Sequence, residues 1–188
     1  MKIIETPIPG LLVLEPRVFR DTRGYFFECF SERDFDAQMG HIVHFVQDNE
    51  SMSTRGVIRG LHFQHPPYTQ AKLVRCVLGA VLDVAVDIRV GSPTYGQHVA
   101  IELTEENHLE FFISKGFAHG FSVLSETAIF QYKCDEFYHP EAEGGILLTD
   151  PALNIDWRIP IDEAIRSEKD FHHPLLRDFN SPFRFEET

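Results

Sequence analysis

The chain reads as a succession of short segments rich in β-branched and aromatic residues, separated by Gly, Pro, Asn and Asp: LLVLEPRVF, GYFFECF, HFVQDNES, GVIRGLHF, AKLVRCVLGAVLDVAVDIRV, GQHVAIELT, HLEFFIS, HGFSVLS and TAIFQYKC. Many short strands with close turns fold as a sandwich or a barrel. Only SERDFDAQMG and IDEAIRSEKD carry helical signals; in the first, Ser31 can cap, Asp34 completes a weak capping box and Gly40 stops the helix. The βαβ alternation of a parallel sheet is absent, as is a Gly-rich loop opening a helix. The expected fold is all-β, an antiparallel jelly roll or barrel with a few short peripheral helices. Gly79-Ala80 predicts a tight hairpin within KLVRCVLGAVLDVAVDI, with Leu73, Val81, Leu82, Val84 and Val86 at the centre of the core. No linker or repeat divides the 188 residues, so one domain over 1–188 is expected.

Charge narrows what such a fold can bind. Seventeen Lys and Arg against 29 Asp and Glu leave a net charge of −12, a field that repels nucleic acid and anionic lipid. An anionic ligand must therefore be met by a local group of cations. No apolar run approaches the roughly 20 residues of a membrane span, and MKIIETPIPG lacks the apolar core and cleavage site of a secretory leader. Cys29, Cys76 and Cys134 have no CxxC spacing and sit in strand-like surroundings, the usage of free, packed thiols in a cytoplasmic protein. The 17 phenylalanines are many for one modest barrel, and FFECF and HLEFFIS would be adhesive as bare edge strands. A homodimer that covers them is expected.

The residues able to do chemistry gather in a few motifs. Metal-holding β barrels place two histidines as HxH on one strand, whose period of two aims both rings to one side. Here GLHFQHPP separates His62 and His65 by three, on opposite faces, and no metal is expected. His172 and His173 are adjacent and diverge if extended, while His41, His44, His98 and His108 lie in polar surroundings and read as surface groups. RGLHFQ and QAKLVRC bring Arg59, His62 and Lys72 onto what should be neighbouring strands. Cations rarely gather in a β interior without an anionic partner. FISKGFAHGF adds His119, QYKC adds Tyr132, and VFRDTRGYFFE adds Arg23 and Glu28. Acid, base and anion-binding types are all supplied.

In order along the chain, RDTRGYFFE, QDNES, GVIRGLHFQ, QAKLVRC, DVAVDIR, SPTYG, ISKGFAHGF, YKC, Tyr138, DP and SEKD resemble the motif series of the dTDP-4-dehydrorhamnose 3,5-epimerases, from roughly Glu15 to Arg177. The resemblance implies a cupin-like fold, no cofactor, and dTDP-4-dehydro-6-deoxyglucose as the substrate, inverted at carbons 3 and 5. It further implies that His62 is the general base, oriented by Asp170, that Tyr132 is the general acid on the other face of the sugar, and that Lys72 stabilises the enolate oxygen. Arg23, Glu28, Gln47, Asp48, Asn49, Arg59, His119, Glu143 and Lys169 match positions that contact the nucleotide sugar, and Tyr138 matches a ring that stacks on thymine. The chemistry agrees with these types: inversion α to a carbonyl needs a proton taken from one face and returned to the other. The forked donors of Arg23 and Arg59 suit diphosphate oxygens. Competing readings are a single-site epimerase or keto-sugar isomerase, a metal-dependent oxygenase on a related barrel, and a nucleotide-sugar binding module without catalysis.

Overall fold

The computed structural model describes residues 1–186. The chain begins with β1 (Lys2–Glu5), β2 (Leu11–Glu15), β3 (Phe19–Asp21) and β4 (Gly24–Phe26), then α1 (Glu32–Met39). Next come β5 (Gln47–Thr54), β6 (Ile58–Gln64), β7 (Lys72–Leu78), β8 (Ala80–Asp87) and β9 (His98–Thr104). The last strands are β10 (Glu110–Ile113), β11 (Phe117–Val123), β12 (Thr127–Cys134) and β13 (Glu143–Gly145). They form a six-stranded sheet in the order β1-β2-β10-β7-β12-β5, a five-stranded sheet in the order β13-β6-β11-β8-β9, and the separate ribbon β3-β4. The ladders within the two large sheets are antiparallel, as the jelly-roll expectation requires.

Alternation along the strands builds three apolar layers. Leu11, Val13, Val74, Phe111, Ile113 and Phe130 from the larger sheet meet Val81, Ala85, Leu103, Phe117 and Phe121 from the smaller one. On the far side of the smaller sheet, Leu82, Val84 and Val86 are covered by Ile146, Leu148, Leu153, Trp157 and Phe183. Trp157 can be buried there because its indole N–H donates to the Leu148 carbonyl at 3.0 Å. On the far side of the larger sheet, α1 lays Phe35 over Leu14, Leu73 and Phe112. The helix begins and ends as its sequence predicts: the Ser31 side chain accepts from the Asp34 N–H, and Gly40 closes it in the left-handed conformation.

Three expectations fail, each for a reason of tertiary pairing. The segment around Gly79 is not a hairpin: β7 pairs with β10 and β12, whereas β8 pairs with β11 and β9. Gly79 is the corner at which the chain leaves one sheet for the other, at φ 77°, and a Cβ there would meet the Thr127 carbonyl at 2.2 Å. An apolar run of this length serves two central strands, each flanked on both sides. IDEAIRSEKD is not an α-helix. Ile165 donates to the Gly56 carbonyl at 2.9 Å and accepts from the Ile58 N–H at 3.0 Å, and only Glu168–Phe171 closes, as a 3-10 turn. A helix this short is marginal alone, and backbone pairing beside β6 replaces it. HLEFFIS is not an edge either: β10 lies between β2 and β7 and is buried throughout, while Phe27–Phe30 continues no strand.

The free thiols divide. Cys76 and Cys134 are buried and Cys29 is exposed. Burial pushes the Cys76 thiol up to about 12 and the Cys134 thiol to about 11, so neither is an available thiolate. His108, expected at the surface, is buried against Tyr25 and Phe27, whose ring centroids lie 4.7 and 4.9 Å away.

Candidate active site

The two sheets leave a groove between them at one end. Its main cavity, about 520 Å³, is lined by Arg59, His62, Lys72, His119, Tyr132 and Asp170, with Arg166, Tyr138, Glu143 and Lys169 at its sides. A contiguous recess of about 240 Å³ shares His62, Lys72, Tyr132, Tyr138 and Glu143 and adds Gln47, Asn49 and Gln70. His62 and Arg59 come from β6 in the smaller sheet, Lys72 and Tyr132 from β7 and β12 in the larger. A flat ligand in the groove therefore has the imidazole on one side and the phenol on the other.

Arg59 and His62 share this groove although residues three apart on a regular strand face opposite ways. The β6-β11 ladder aligns His62 with His119 and Arg59 with Phe121, so one extra residue is absorbed on β6. Gly60 occupies that irregularity at φ 137°, with the backbone of Gly120 so close that a Cβ would meet its Cα at 2.5 Å. No other residue type has both the conformation and the space.

His62 Nε2 donates to Asp170 Oδ1 at 2.6 Å, and Asp170 is 1% exposed. Burial alone would raise the Asp170 carboxyl, but the hydrogen bond and charge of His62, with Ser167 and His173 beside it, outweigh burial and hold it below the usual carboxylate range. An ionised Asp170 keeps the proton on Nε2 and leaves Nδ1 as the nitrogen with a free lone pair. Asp170 is the buried residue of the 3-10 turn Glu168–Phe171. Burial raises the Tyr132 phenol, only partly opposed by Arg59, so it stays protonated. Lys72 makes no ion pair among the described residues, and its Nζ lies 5.7 Å from the Tyr132 ring centroid. Burial lowers its pKa, against the pull of Cys134, Asp83 and Glu143.

The remaining expected residues divide between two places. Tyr138 donates through its hydroxyl to Glu143 at 3.0 Å, and Glu143 pairs with Lys169. The Tyr138 N–H is held by Gln47 Oε1 at 3.0 Å, and Gln47 Nε2 donates to Asn49 at 2.9 Å. Arg59 Nε donates to Ser53 Oγ at 3.1 Å. Asp48 is not in the groove: alternation along β5 turns it to the outer face, where it pairs with Lys133 at 2.9 Å. Arg23 and Glu28 do not line the groove; Arg23 projects from the β3-β4 ribbon and pairs with Asp21.

Three residues that the motifs did not name, Asp83, Arg166 and His173, adjoin the site. His119 Nε2 donates to Asp83, whose oxygens lie 2.9 and 3.0 Å away, and both side chains are buried. The Asp83 carboxylate, set among apolar residues in AVLDVAV, was the sequence signal for such a partner. Arg166 lies 4.1 Å over the Phe171 ring and adds a cation to the groove. His173 packs edge-on to His62, ring centroids 5.6 Å apart, while its neighbour His172 turns outward to Glu168. A second cavity, about 320 Å³ on the outer face of the larger sheet, holds Arg75 and Glu110. Burial raises Glu110 to about 8, but it lines neither the groove nor its recess.

Comparison with known proteins gives one answer. Residues 5–178 match the family model described as dTDP-4-dehydrorhamnose 3,5-epimerase. The enzyme of that name from Pseudomonas aeruginosa is 53% identical over 170 residues, covering 90% of this chain and 93% of that protein. The crystal structure of dTDP-6-deoxy-D-glucose-3,5-epimerase from Legionella pneumophila, in complex with dTDP-4-keto-L-rhamnose, is 46% identical with a TM-score of 0.94, covering 99% of each chain. A 3'-monoepimerase from Streptomyces bikiniensis in complex with dTDP-quinovose is more distant, at 35% identity and a TM-score of 0.86, covering 92% of this chain and 86% of that one. With these matches spanning nearly its whole length, the chain belongs to the dTDP-4-dehydrorhamnose 3,5-epimerase family.

Proposed function

We infer that this protein catalyses the 3,5-epimerisation of dTDP-4-dehydro-6-deoxyglucose to dTDP-4-dehydro-L-rhamnose. The observation that carries the mechanism is the opposition of the two sheets, with the His62–Asp170 pair on one wall and Tyr132 with Lys72 on the other. Carbons 3 and 5 flank the C4 carbonyl, so loss of either proton sends the C–H electron pair onto the C4 oxygen as an enolate. His62 accepts that proton, and Asp170 stabilises the imidazolium formed. The Lys72 ammonium meets the enolate oxygen as a donor held in place before the reaction. Tyr132 then gives its hydroxyl proton to the opposite face of the same carbon. His62 releases its proton to solvent and Tyr132 regains one, after which the other carbon reacts in the same way.

Binding must overcome a net charge of −12, and the local cations Arg59, Arg166 and Lys169 along the groove are suited to a diphosphate. Tyr138, half exposed at the rim, offers the ring for the base, worth roughly 1 to 3 kcal/mol. Arg59→Ala is expected to raise KM about tenfold or more, the loss of a hydrogen bond to a charged group, with kcat little changed. A pure kcat effect in steady-state kinetics would contradict the diphosphate role. Incubation with the substrate, followed by NMR of the sugar ring, is expected to yield inverted configurations at both carbons. Inversion at carbon 3 alone would favour the second reading, a monoepimerase, to which the likeness to the Streptomyces bikiniensis protein gives its weight.

A homodimer accounts for the residues left outside the groove. The β3-β4 ribbon carries Arg23 and exposes Phe19, Tyr25 and Phe26, the last at 71%, an apolar surface suited to a second copy. A partner's ribbon would bring Arg23 and Glu28 toward the other protomer's groove. Sedimentation equilibrium is expected to give a dimer mass; a monomer at assay concentration would remove this part of the account. No helix of the described residues is long and apolar enough to cross a membrane. A nucleotide-sugar substrate and free thiols fit work in the cytoplasm.

A further inference from the structure

His173 takes no part in the reaction as described, yet it is held in place beside the base. Its ring stands over Gly145, where a Cβ would meet three ring atoms at 2.5 to 2.6 Å, and the Pro174 carbonyl next to it accepts from the Leu147 N–H at 2.9 Å. Its Nε2 is buried without a hydrogen-bond partner. That nitrogen lies 3.7 Å from the oxygen that orients His62, Asp170 Oδ1. Donor atoms of His62, Asp170 and His173 all fall within 4.8 Å of one another.

We propose that His62, Asp170 and His173 form a binding site for a borderline divalent metal ion, zinc being the first case, and that occupation of this site inhibits the enzyme. Two imidazoles and one carboxylate suit zinc, cobalt or nickel rather than magnesium or calcium. Bonds of about 2.0 to 2.1 Å in tetrahedral array put donors about 3.3 Å apart, so the His173–Asp170 spacing already suits an ion. The His62–Asp170 contact, 2.6 Å, has to open by under an ångström once its bridging proton is gone. The groove beside these residues has room for a water as fourth ligand. Inhibition follows from the nitrogen used. An ion on His62 Nε2 drives the imidazole proton to Nδ1, and a neutral ring so ligated has no lone pair left for a carbon-bound proton. The inhibitory half of the proposal rests on His62 being the base; the site itself does not.

The test is equilibrium dialysis of zinc against the chelator-treated full-length protein and its His173→Ala variant, with deuterium exchange into the nucleotide sugar measured at the same zinc concentrations. The parent is expected to hold a single tight zinc per chain, and His173→Ala to bind it at least about tenfold more weakly. Zinc should suppress exchange in the parent in competition with substrate, and at that concentration leave the variant at its own zinc-free rate. If His173→Ala fails to fold, as circular dichroism will report, His173→Phe keeps the ring over Gly145 and removes the ligand. No tight zinc in the parent, or equal binding by parent and variant, overturns the site. His173-dependent binding with undiminished exchange overturns the inhibition. A parent protein that exchanges nothing without zinc contradicts the epimerase reading instead, and dialysis still decides the metal site.

Discussion

His62→Asn is expected to lower the rate of proton exchange at both carbons by about two to four orders of magnitude, the usual contribution of a positioned general base, with substrate binding largely kept. The expectation follows from where the side chain sits. Its Nε2 is committed to Asp170 at 2.6 Å, which leaves Nδ1 to accept a proton, and the asparagine amide, which has no basic nitrogen, takes over the place of Nδ1. His62→Gln, whose amide nitrogen reaches the Nε2 position, keeps a donor on the buried Asp170 carboxylate, so an equal loss of exchange in that variant separates removal of the base from the unpairing of a buried charge. Single-turnover exchange followed by NMR, with binding measured by calorimetry, checks it. Loss at one carbon only would assign the other carbon to a different base. Full exchange would remove His62 from the chemistry.

Lys72→Met is expected to cost about two to three orders of magnitude in kcat, because a preorganised donor aimed at a developing oxyanion is worth roughly 3 to 4 kcal/mol. The same substitution should leave the melting temperature unchanged or raise it. Burial lowers the Lys72 pKa, so the charged form is disfavoured by folding at every pH below its folded value, and a thioether of similar length removes that cost. Opposite signs for rate and stability distinguish an oxyanion partner from a packing residue. A fall in melting temperature that parallels the loss of rate would mark Lys72 as structural.

The all-β architecture was legible because strand periodicity and Gly, Pro, Asn and Asp punctuation are local. Chain crossings between sheets were not. KLVRCVLGAVLDVAVDI reads equally as a hairpin or as two central strands, and only the partners of β7 and β8 decide. The motifs carried His62, Lys72, Tyr132, Asp170, Arg59, His119, Tyr138, Glu143 and Lys169 to the groove. They also carried Asp48, which strand alternation turns to the opposite face. The bulge that lets Arg59 join His62 leaves only a glycine as its trace. His173 gave no signal, since its place beside His62 depends on the 3-10 turn at Glu168–Phe171 where the local pattern suggested a longer helix.

The central claim is that one groove takes a proton from each of two carbons and returns it to the opposite face. The most direct test is incubation of the chelator-treated protein with dTDP-4-dehydro-6-deoxyglucose in deuterated water, with label at carbons 3 and 5 followed by NMR. Two opposed groups that exchange with solvent predict deuterium at both carbons, with inversion at each. Label at one carbon alone, or bound ligand with none, would contradict it.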